Sequence, residues 1–271
     1  MNEHDEGRPF RDTSPVAWTF HRNTSRWAHN AATAQDAVLP EGSKEDPGSP
    51  YVALPRPTPP DATLWRMLEG RFSCRRYARR AVSLDQLALL LLAGYGVLGR
   101  TRFGPLEFLE RPVPSGGGLY PLELYPLVRN VDGLDAGVYH YVPVTHGLEQ
   151  VRDVLVPRAL QEYLFMGQPL TTDAAVVIVI AAAVDRLLRK YGDRGYRYIL
   201  FEAGHVAQNL NLAAGALGLG SCNLGGFFDL ELGGLLELDA EAEVPVYAVA
   251  LGVPEAGNRD ALRAIDQAPG T

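Results

Sequence analysis

The stretch of residues 190–226 constrains the fold more than any other part of this 271-residue chain. Apolar residues recur in it at alternating steps of four and three, which predicts an α-helix; they are Ile199, Ala203, Val206, Leu210, Ala213 and Leu217. The residues between them are mostly small, so the helix is apolar or slim nearly all round, as buried helices are. Gly218 and Gly220 predict its end. We therefore expect a long buried helix with polar groups gathered at both ends.

Composition and charge narrow the class of protein. A net charge of −7 argues against a nucleic-acid partner, which would favour a basic face. Cys74 and Cys222 offer neither a disulfide framework nor a zinc spacing, and the histidines are scattered, so we predict no metal site. The polar N-terminus is unlike a signal peptide, and apolar runs such as 174–184 are too short to span a bilayer. We expect a cytoplasmic protein without a membrane partner.

The chain divides by composition into three segments. Residues 1–60 are predicted to form an N-terminal arm with a Pro-rich linker, residues 61–255 a compact domain, and residues 256–271 a tail. Trp18 and Trp27 give the arm apolar anchors for docking on the body. A recognition arm, a lid over the site and an inert appendage stay open as interpretations.

Within the compact domain, helices and strands mix without regular βα alternation, which predicts an α+β fold. The predicted helices before the long one are Asp61–Leu68 with Asp61 as N-cap, Ser83–Leu92 with a capping box of Ser83 and Gln86, and Leu155–Met166. The predicted strands are Leu122–Arg129, Gly137–Tyr141, a buried central Ala174–Ala183, and Val244–Val253. A loop is expected from the end of the long helix to Phe228. Gly94–Gly99 matches G-x-G-x-x-G but follows a helix, so we interpret it as a helix-ending turn.

Four groups of residues are candidates for a site. Arg71, Ser73 and Arg75 alternate, so two guanidiniums and a hydroxyl can converge on a phosphate; a solvated basic run is the alternative. In Pro114–Gly118, a serine and three glycines let backbone approach a flat ligand, unless the segment is only a flexible turn. Leu224–Phe227 repeats that glycine pattern after the long helix.

Lys190 and Tyr191 are the fourth group, and we expect them at the opening of the long helix. A partly buried lysine there can act as a base, whereas a snorkelling surface lysine is the alternative. His205, inside the apolar helix, is more typical of a core histidine than of a catalyst.

Together these motifs resemble the SagB-type dehydrogenases, FMN-dependent members of the nitroreductase superfamily. The resemblance covers residues 21–252 and depends on the order of six motifs: His21–Thr24, Arg71–Arg75, Pro114–Tyr125, Gly137–Tyr141, Lys190–Tyr198 and Glu202–His205. It implies a central antiparallel-type sheet flanked by helices, and a homodimer with the long helix and FMN at the subunit interface. The N-terminal arm would then pack on the dimer through its tryptophans.

The resemblance also implies roles for individual residues. Arg71, Ser73 and Arg75 would hold the phosphate and ribityl end of FMN. Pro114, Ser115, Gly116 and Gly117 would line its isoalloxazine, and a backbone N–H of Gly225 or Gly226 would lie near its N5. Arg259 and Arg263 are candidates for a further phosphate contact, and no motif decides between them.

In this family a Lys-Tyr pair is associated with azoline oxidases, which convert thiazoline or oxazoline rings in peptides to azoles. Lys190 and Tyr191 occupy the matching place, as base and as its positioning partner. The expected substrate is a ribosomal or carrier-bound peptide, the expected acceptor for reduced flavin is oxygen, and a cyclodehydratase or synthetase is an expected partner. A generic NAD(P)H-dependent nitro- or quinone-reductase and a non-catalytic flavin-binding partner of a cyclodehydratase are the alternatives.

Overall fold

A computed structural model describes residues 14–25, 48–104 and 106–257, together with Arg11, Lys44 and Asp46. Its helices are α1 Pro15–Asn23, α2 Leu64–Gly70, α3 Leu84–Tyr95, α4 Arg158–Leu164, α5 Leu170–Asp173, α6 Asp185–Tyr191, α7 Arg194–Ala216 and α8 Asp229–Leu235. Its strands are β1 Tyr51–Ala53, β2 Val82–Ser83, β3 Gly99–Phe103, β4 Leu106–Glu110, β5 Leu122–Val128, β6 Val131–Asp132, β7 Gly137–Val142, β8 Gly147–Arg152, β9 Val176–Ala183, β10 Gly220–Leu224 and β11 Glu243–Gly252. Among these described residues, no helix is both long and apolar enough to cross a membrane.

Seven strands form one antiparallel sheet in the order β1-β8-β7-β5-β9-β11-β10. The predicted central strand is confirmed as β9, whose residues are all buried except the last, Ala183. One face of the sheet packs against α3 and α7 and the other against α4 and α8. Because helices cover both faces, every residue of β5 is buried, and β9 is a continuous apolar run rather than an alternating one. The predicted α+β class, with an antiparallel sheet flanked by helices, is confirmed.

The predicted long helix is confirmed as α7. Leu217 caps it, and Gly218 follows in the left-handed region with φ +71°. Ile199, Val206 and Leu210 are fully buried against the sheet. The opposite face is open in the single chain, where Phe201 is 58% exposed. We expected a helix buried on all sides. In the isolated chain, only the face of α7 that contacts the sheet is buried.

The sequence predicts the start of α3 correctly and the start of α2 incorrectly. The capping box of α3 is confirmed, with Ser83 and Gln86 each bonding the other's backbone N–H. Gly96 caps the end of α3, so G-x-G-x-x-G is a helix end, as predicted. The predicted start of α2 at Asp61 is wrong. The cap is Thr63, whose hydroxyl accepts from the Arg66 backbone N–H.

The segment predicted as arm and linker contributes to the compact body. Its strand β1 pairs with β8, and the backbone N–H of Lys44 donates to the buried carboxylate of Glu123 at 3.3 Å. The boundary expected at residue 61 therefore does not coincide with the edge of the sheet. Upstream, α1 packs on α7, with the Phe20 ring edge-on to Tyr196 at 6.1 Å. Trp27 and residues 258–271 lie outside the described residues.

Candidate functional site

The glycine-rich loop before β5 has a fixed and unusual conformation. Gly117, Gly118 and Tyr120 all have positive φ, at 66°, 69° and 46°. This left-handed region is readily available to glycine and costly for other residues. The Ser115 hydroxyl accepts from the Tyr120 N–H at 2.9 Å, and the Ser115 carbonyl accepts from the Gly118 N–H at 3.1 Å. These bonds and dihedral angles favour a built loop over the flexible turn that the sequence left open.

Lys190 and Tyr191 meet this loop. They end α6 rather than opening the long helix, and Gly192, with φ +57°, turns the chain between the two helices. A Cβ added to Gly117 would lie 2.7 Å from the Lys190 Nζ and 2.8 Å from the Tyr191 hydroxyl. Both side chains are partly buried, and the Lys190 Nζ lies 5.5 Å from the Tyr191 ring centroid. The fold thus places the predicted base and its partner against the glycine loop.

A buried polar network supports the loop from behind. Glu202 of α7 is 2% exposed, and its Oε1 accepts from the Tyr95 hydroxyl at 2.7 Å. The same hydroxyl accepts from the N–H of Leu122, the first residue of β5, at 3.0 Å. The Arg111 guanidinium stacks over the rings of Tyr95 and Tyr120, at 4.4 and 4.6 Å. The network therefore joins α3, α7, β5 and the loop.

The carboxyl of Glu202 is hard to ionise. Burial raises its pKa from 4.5 to about 7, although the hydroxyls of Ser115 and Tyr95 and the charge of Arg111 favour the ionised form. Within the described part of the chain, no hydrogen bond of ordinary geometry reaches Oε2, so burial prevails. The sequence offered Glu202 only as part of a motif. A lone acid in an apolar helix was the available signal, and nothing marked Tyr95 or Arg111 as its neighbours.

His205, from the same motif, is exposed rather than buried in the core. It was predicted to be a core histidine, yet it lies on the exposed face of α7. The helical period explains the error, because position 205 falls beside Phe201 on the face turned away from the sheet.

The basic segment Arg71–Arg75 lies beside β10. Ser73 pairs with Ser221 in a parallel bridge, and the Cys74 N–H donates to the Ser221 carbonyl at 2.8 Å. The charges of Arg75 and Arg71 both lower the pKa of Cys222, although burial raises it overall. Both guanidiniums therefore lie within electrostatic reach of one thiol, and their convergence on a phosphate stays a prediction. No hydrogen bond or ion pair from other described residues engages these two side chains.

The register of the sheet separates this basic segment from the glycine loop. Ser221 aligns with Leu251 and Val176, whereas Leu122, just after the glycine loop, aligns with Ala182. Six steps along β9 at about 3.3 Å each separate the two levels by roughly 20 Å. One chain thus holds the two predicted parts of the site at opposite ends of its sheet.

Gly225 and Gly226 lie between these levels, directly after β10. The Gly226 carbonyl accepts from the Gln168 Nε2 at 3.3 Å. A Cβ added to Gly226 would lie 3.2 Å from the Met166 Sδ, and one added to Gly225 would lie 3.8 Å from the Tyr247 ring. The structure leaves their predicted contact with a cofactor as a prediction.

Comparison with known proteins decides the family. The model of the nitroreductase family matches residues 68–253, more than half of the chain. This chain belongs to the nitroreductase family. Membership indicates a flavin-dependent oxidoreductase, and proteins of the nitroreductase family typically bind FMN.

Individual relatives refine this result. The nitroreductase-like protein MJ1384 of Methanocaldococcus jannaschii is 38% identical over 186 residues, which are 69% of this chain and 88% of that protein. The microcin B17-processing protein McbC of Escherichia coli is 30% identical over 148 residues, 53% of this chain and 54% of McbC. A chain of the E. coli microcin synthetase McbBCD complex with truncated pro-MccB17 bound shares the nitroreductase fold at a TM-score of 0.59, with 22% identity, covering 89% of this chain and 92% of that one.

The residues of this nitroreductase chain fit FMN chemically. The unengaged guanidiniums of Arg71 and Arg75, with the Ser73 hydroxyl, form the donor set that a phosphate requires. A Cβ on Gly117 would come within 2.8 Å of the Lys190 Nζ and the Tyr191 hydroxyl, so glycine lets these two polar groups lie close to the loop backbone. A flat ring that approaches this loop would meet backbone, Lys190 and Tyr191 together.

Proposed function

We propose that this protein is an FMN-dependent oxidase of azoline rings, acting on thiazolines or oxazolines in the maturation of peptide natural products. The observation that carries the proposal is the contact of Lys190 and Tyr191 with the glycine loop at Gly117. A generic flavin reductase needs no lysine base at that point. The similarity to McbC, which is named for processing microcin B17, supports the same class of substrate.

The chemistry assigns a task to each residue of the pair. Conversion of an azoline to an azole forms one C=C bond, with one ring hydrogen lost as a proton and another lost with its electron pair. FMN, when bound, supplies the acceptor for that electron pair and hydrogen. The neutral amine of Lys190 accepts the proton and becomes an ammonium, and the Tyr191 hydroxyl orients the substrate or the amine.

The cofactor site is proposed to lie between two copies of the chain. In one copy, roughly 20 Å of sheet separates the basic segment from the glycine loop. A second copy can bring its own loop to the first copy's clamp, so that Arg71, Ser73, Arg75, Gly225 and Gly226 act with Pro114–Gly117 of the other chain. The open face of α7 around Phe201 suits such a dimer.

The proposed reaction also implies a partner. An azoline is formed by cyclodehydration of a cysteine, serine or threonine residue in a peptide, so a cyclodehydratase must supply the substrate. The fold shared with a chain of the microcin synthetase complex supports a synthetase of that kind as the partner.

The test is the visible spectrum of the FMN-loaded protein without oxygen. A thiazoline-containing peptide should bleach the flavin, whereas NADPH should bleach it slowly. Lys190→Ala should retain flavin and lose peptide-driven bleaching by about a hundredfold or more, as expected for a lost general base. Arg189→Ala, which removes an exposed neighbouring cation on α6, is the matched control and should bleach normally. Full peptide-driven bleaching in the Lys190 variant would refute the base assignment.

Two alternatives make different predictions. MJ1384, the relative with the higher identity, favours a generic NAD(P)H-dependent nitro- or quinone-reductase, in which NADPH alone bleaches the flavin rapidly. A non-catalytic flavin-binding partner would let a cyclodehydratase complex function fully after Ser73→Ala and Arg75→Ala. Neither result is expected for the azoline oxidase.

A further inference from the structure

A second basic cavity lies at the sheet end near Val128 and Val176. It has a volume of about 220 Å³ and is lined by residues of the 78–80 segment, the end of β5, the start of α4 and the end of α5. Four of the lining residues are arginines, namely Arg79, Arg80, Arg129 and Arg158, and the only acidic one is Asp173. The lining therefore has a formal charge of +3, although the whole chain carries −7. A strongly positive cavity in an acidic protein calls for a specific explanation.

Arg129 is the fixed element of this cavity. Its Nη2 donates to the Val156 carbonyl at 2.7 Å and to the Gln161 Oε1 at 2.6 Å, both neutral acceptors. Gln161 is held in turn by its own bond to the Thr171 carbonyl at 2.6 Å. The Arg129 Nε is buried, and within the described residues it has no hydrogen-bond partner. The guanidinium is thus oriented by neutral groups and makes no ion pair with a described carboxylate.

The surroundings make that charge costly. Burial, followed by the charge of Arg158, lowers the pKa of Arg129, while Asp173 and Glu162 offset this in part. Both acids are already engaged, Asp173 with the Arg158 Nη1 at 3.1 Å and Glu162 with the Thr172 hydroxyl at 2.9 Å. An anion in the cavity would offset the remaining positive charge.

Arg79 and Arg80 supply solvent-exposed donors to the lining of the cavity. Both are exposed, and no ion pair with another described residue holds either side chain. A fixed guanidinium inside and free guanidiniums at the rim match the planar, multidentate donors that phosphate oxygens accept. The volume accommodates a phosphate group together with the first atoms of an ester.

This cavity is separate from the flavin clamp. Buried Tyr77 lies between the two basic segments, with its hydroxyl bonded to the Ala250 carbonyl at 3.0 Å and its backbone bridged to Pro254. Arg71, Ser73 and Arg75 precede it beside Ser221, whereas Arg79 and Arg80 follow it. Neither Lys190 nor the glycine loop contributes to the lining.

We propose that the cavity lined by Arg79, Arg80, Arg129 and Arg158 binds a phosphate-class anion, either free phosphate or the terminal phosphate of a larger metabolite. The site is independent of the proposed azoline chemistry and does not require it. Its ligand stabilises the junction of β5, α4 and α5 by offsetting the charge of Arg129.

The experiment uses FMN-loaded full-length protein, so that the flavin clamp is already filled. Inorganic phosphate and glycerol 3-phosphate are titrated calorimetrically, with sodium chloride at matched ionic strength as the reference. We expect saturable binding of one anion per chain beyond the chloride reference, and a rise in melting temperature. Tighter binding of glycerol 3-phosphate identifies an organic phosphate as the ligand, and equal binding identifies free phosphate.

Two variants test the location of the site. The double substitution Arg79→Gln and Arg80→Gln affects exposed side chains, so the protein should fold and its anion dissociation constant should rise about tenfold. Arg66→Gln removes an exposed arginine from α2 and should leave anion binding unchanged. Equal phosphate affinity in the double variant, or no saturable binding in the unaltered protein, would overturn the proposal.

Discussion

The two ends of the central sheet hold the two predicted parts of the flavin site in different ways. At the glycine-loop end, backbone in the left-handed region and a buried Glu202–Tyr95 pair fix the positions of the polar groups. At the other end, Arg71 and Arg75 extend from backbone that is bridged to Ser221, and their side chains are exposed. The first end suits a reacting ring, which needs fixed geometry, and the second presents unengaged guanidiniums, which are the donors that a phosphate accepts.

The largest expected effect is at Gly117. Gly117→Ala adds a Cβ to a residue with φ +66° and places it 2.7 Å from the Lys190 Nζ, so the lysine must move. We expect peptide-driven bleaching to fall by about a hundredfold or more, because small misplacement of a reacting group is costly. Gly133→Ala is the control, since Gly133 has φ +81° but nothing within 4 Å of an added Cβ. Equal activity losses in both variants would mean that backbone strain, not contact with Lys190, controls turnover.

The next largest expected effect is the pH dependence of the free energy of unfolding, through Glu202 at the glycine-loop end of the sheet. The folded-state pKa of Glu202 is raised to about 7, so the folded protein holds a proton that the unfolded chain releases near 4.5. This contribution to stability is complete below about pH 4.5 and is lost as the pH rises through 7. By linkage it amounts to about 3 kcal/mol. Urea unfolding from pH 4.5 to 8 should show the stability of the unaltered protein falling relative to Glu202→Gln. Parallel curves would contradict the raised pKa.

The smallest effect is expected at the exposed end. Arg75→Ala should weaken FMN binding about tenfold and hardly change the melting temperature of the apoprotein, because the side chain is exposed and unengaged. Flavin fluorescence titration measures the affinity, and Arg66→Ala is the matched surface control. A large drop in apoprotein stability would show that Arg75 stabilises the fold, as the buried groups at the glycine-loop end do, and would contradict the difference between the two ends.

Local sequence signals predicted the elements that are decided locally. The capping box of α3 and the four–three period of α7 depend on neighbouring residues, and both are confirmed. The start of α2 was wrong because Asp61 and Thr63 are both good caps, and only tertiary packing chooses between them. Strand β10 was missed because Gly220 and Ser221 are poor strand formers, and its pairing with β11 decides its structure.

The sequence predicted which residue types form the candidate site but not how those residues contact one another. Three consecutive glycines and a Lys-Tyr pair are visible in the sequence, but their contact depends on how α6 folds back against the loop. The Glu202–Tyr95 bond joins two helices distant in sequence, and nothing local announces it. The placement of Arg71–Arg75 at the far end of the sheet follows from strand register, which the missed β10 helps to define.

Strand β1 has a consequence for aggregation, because it covers one edge of the main sheet. It pairs with β8 along Tyr51–Ala53, and a Cβ on Gly147 would collide with the Tyr51 ring. A chain shortened to begin at residue 61 would uncover the backbone donors and acceptors of β8, which are a template for strand addition. The proline-rich segment therefore carries a strand that covers the edge of β8 and hinders its pairing with another chain.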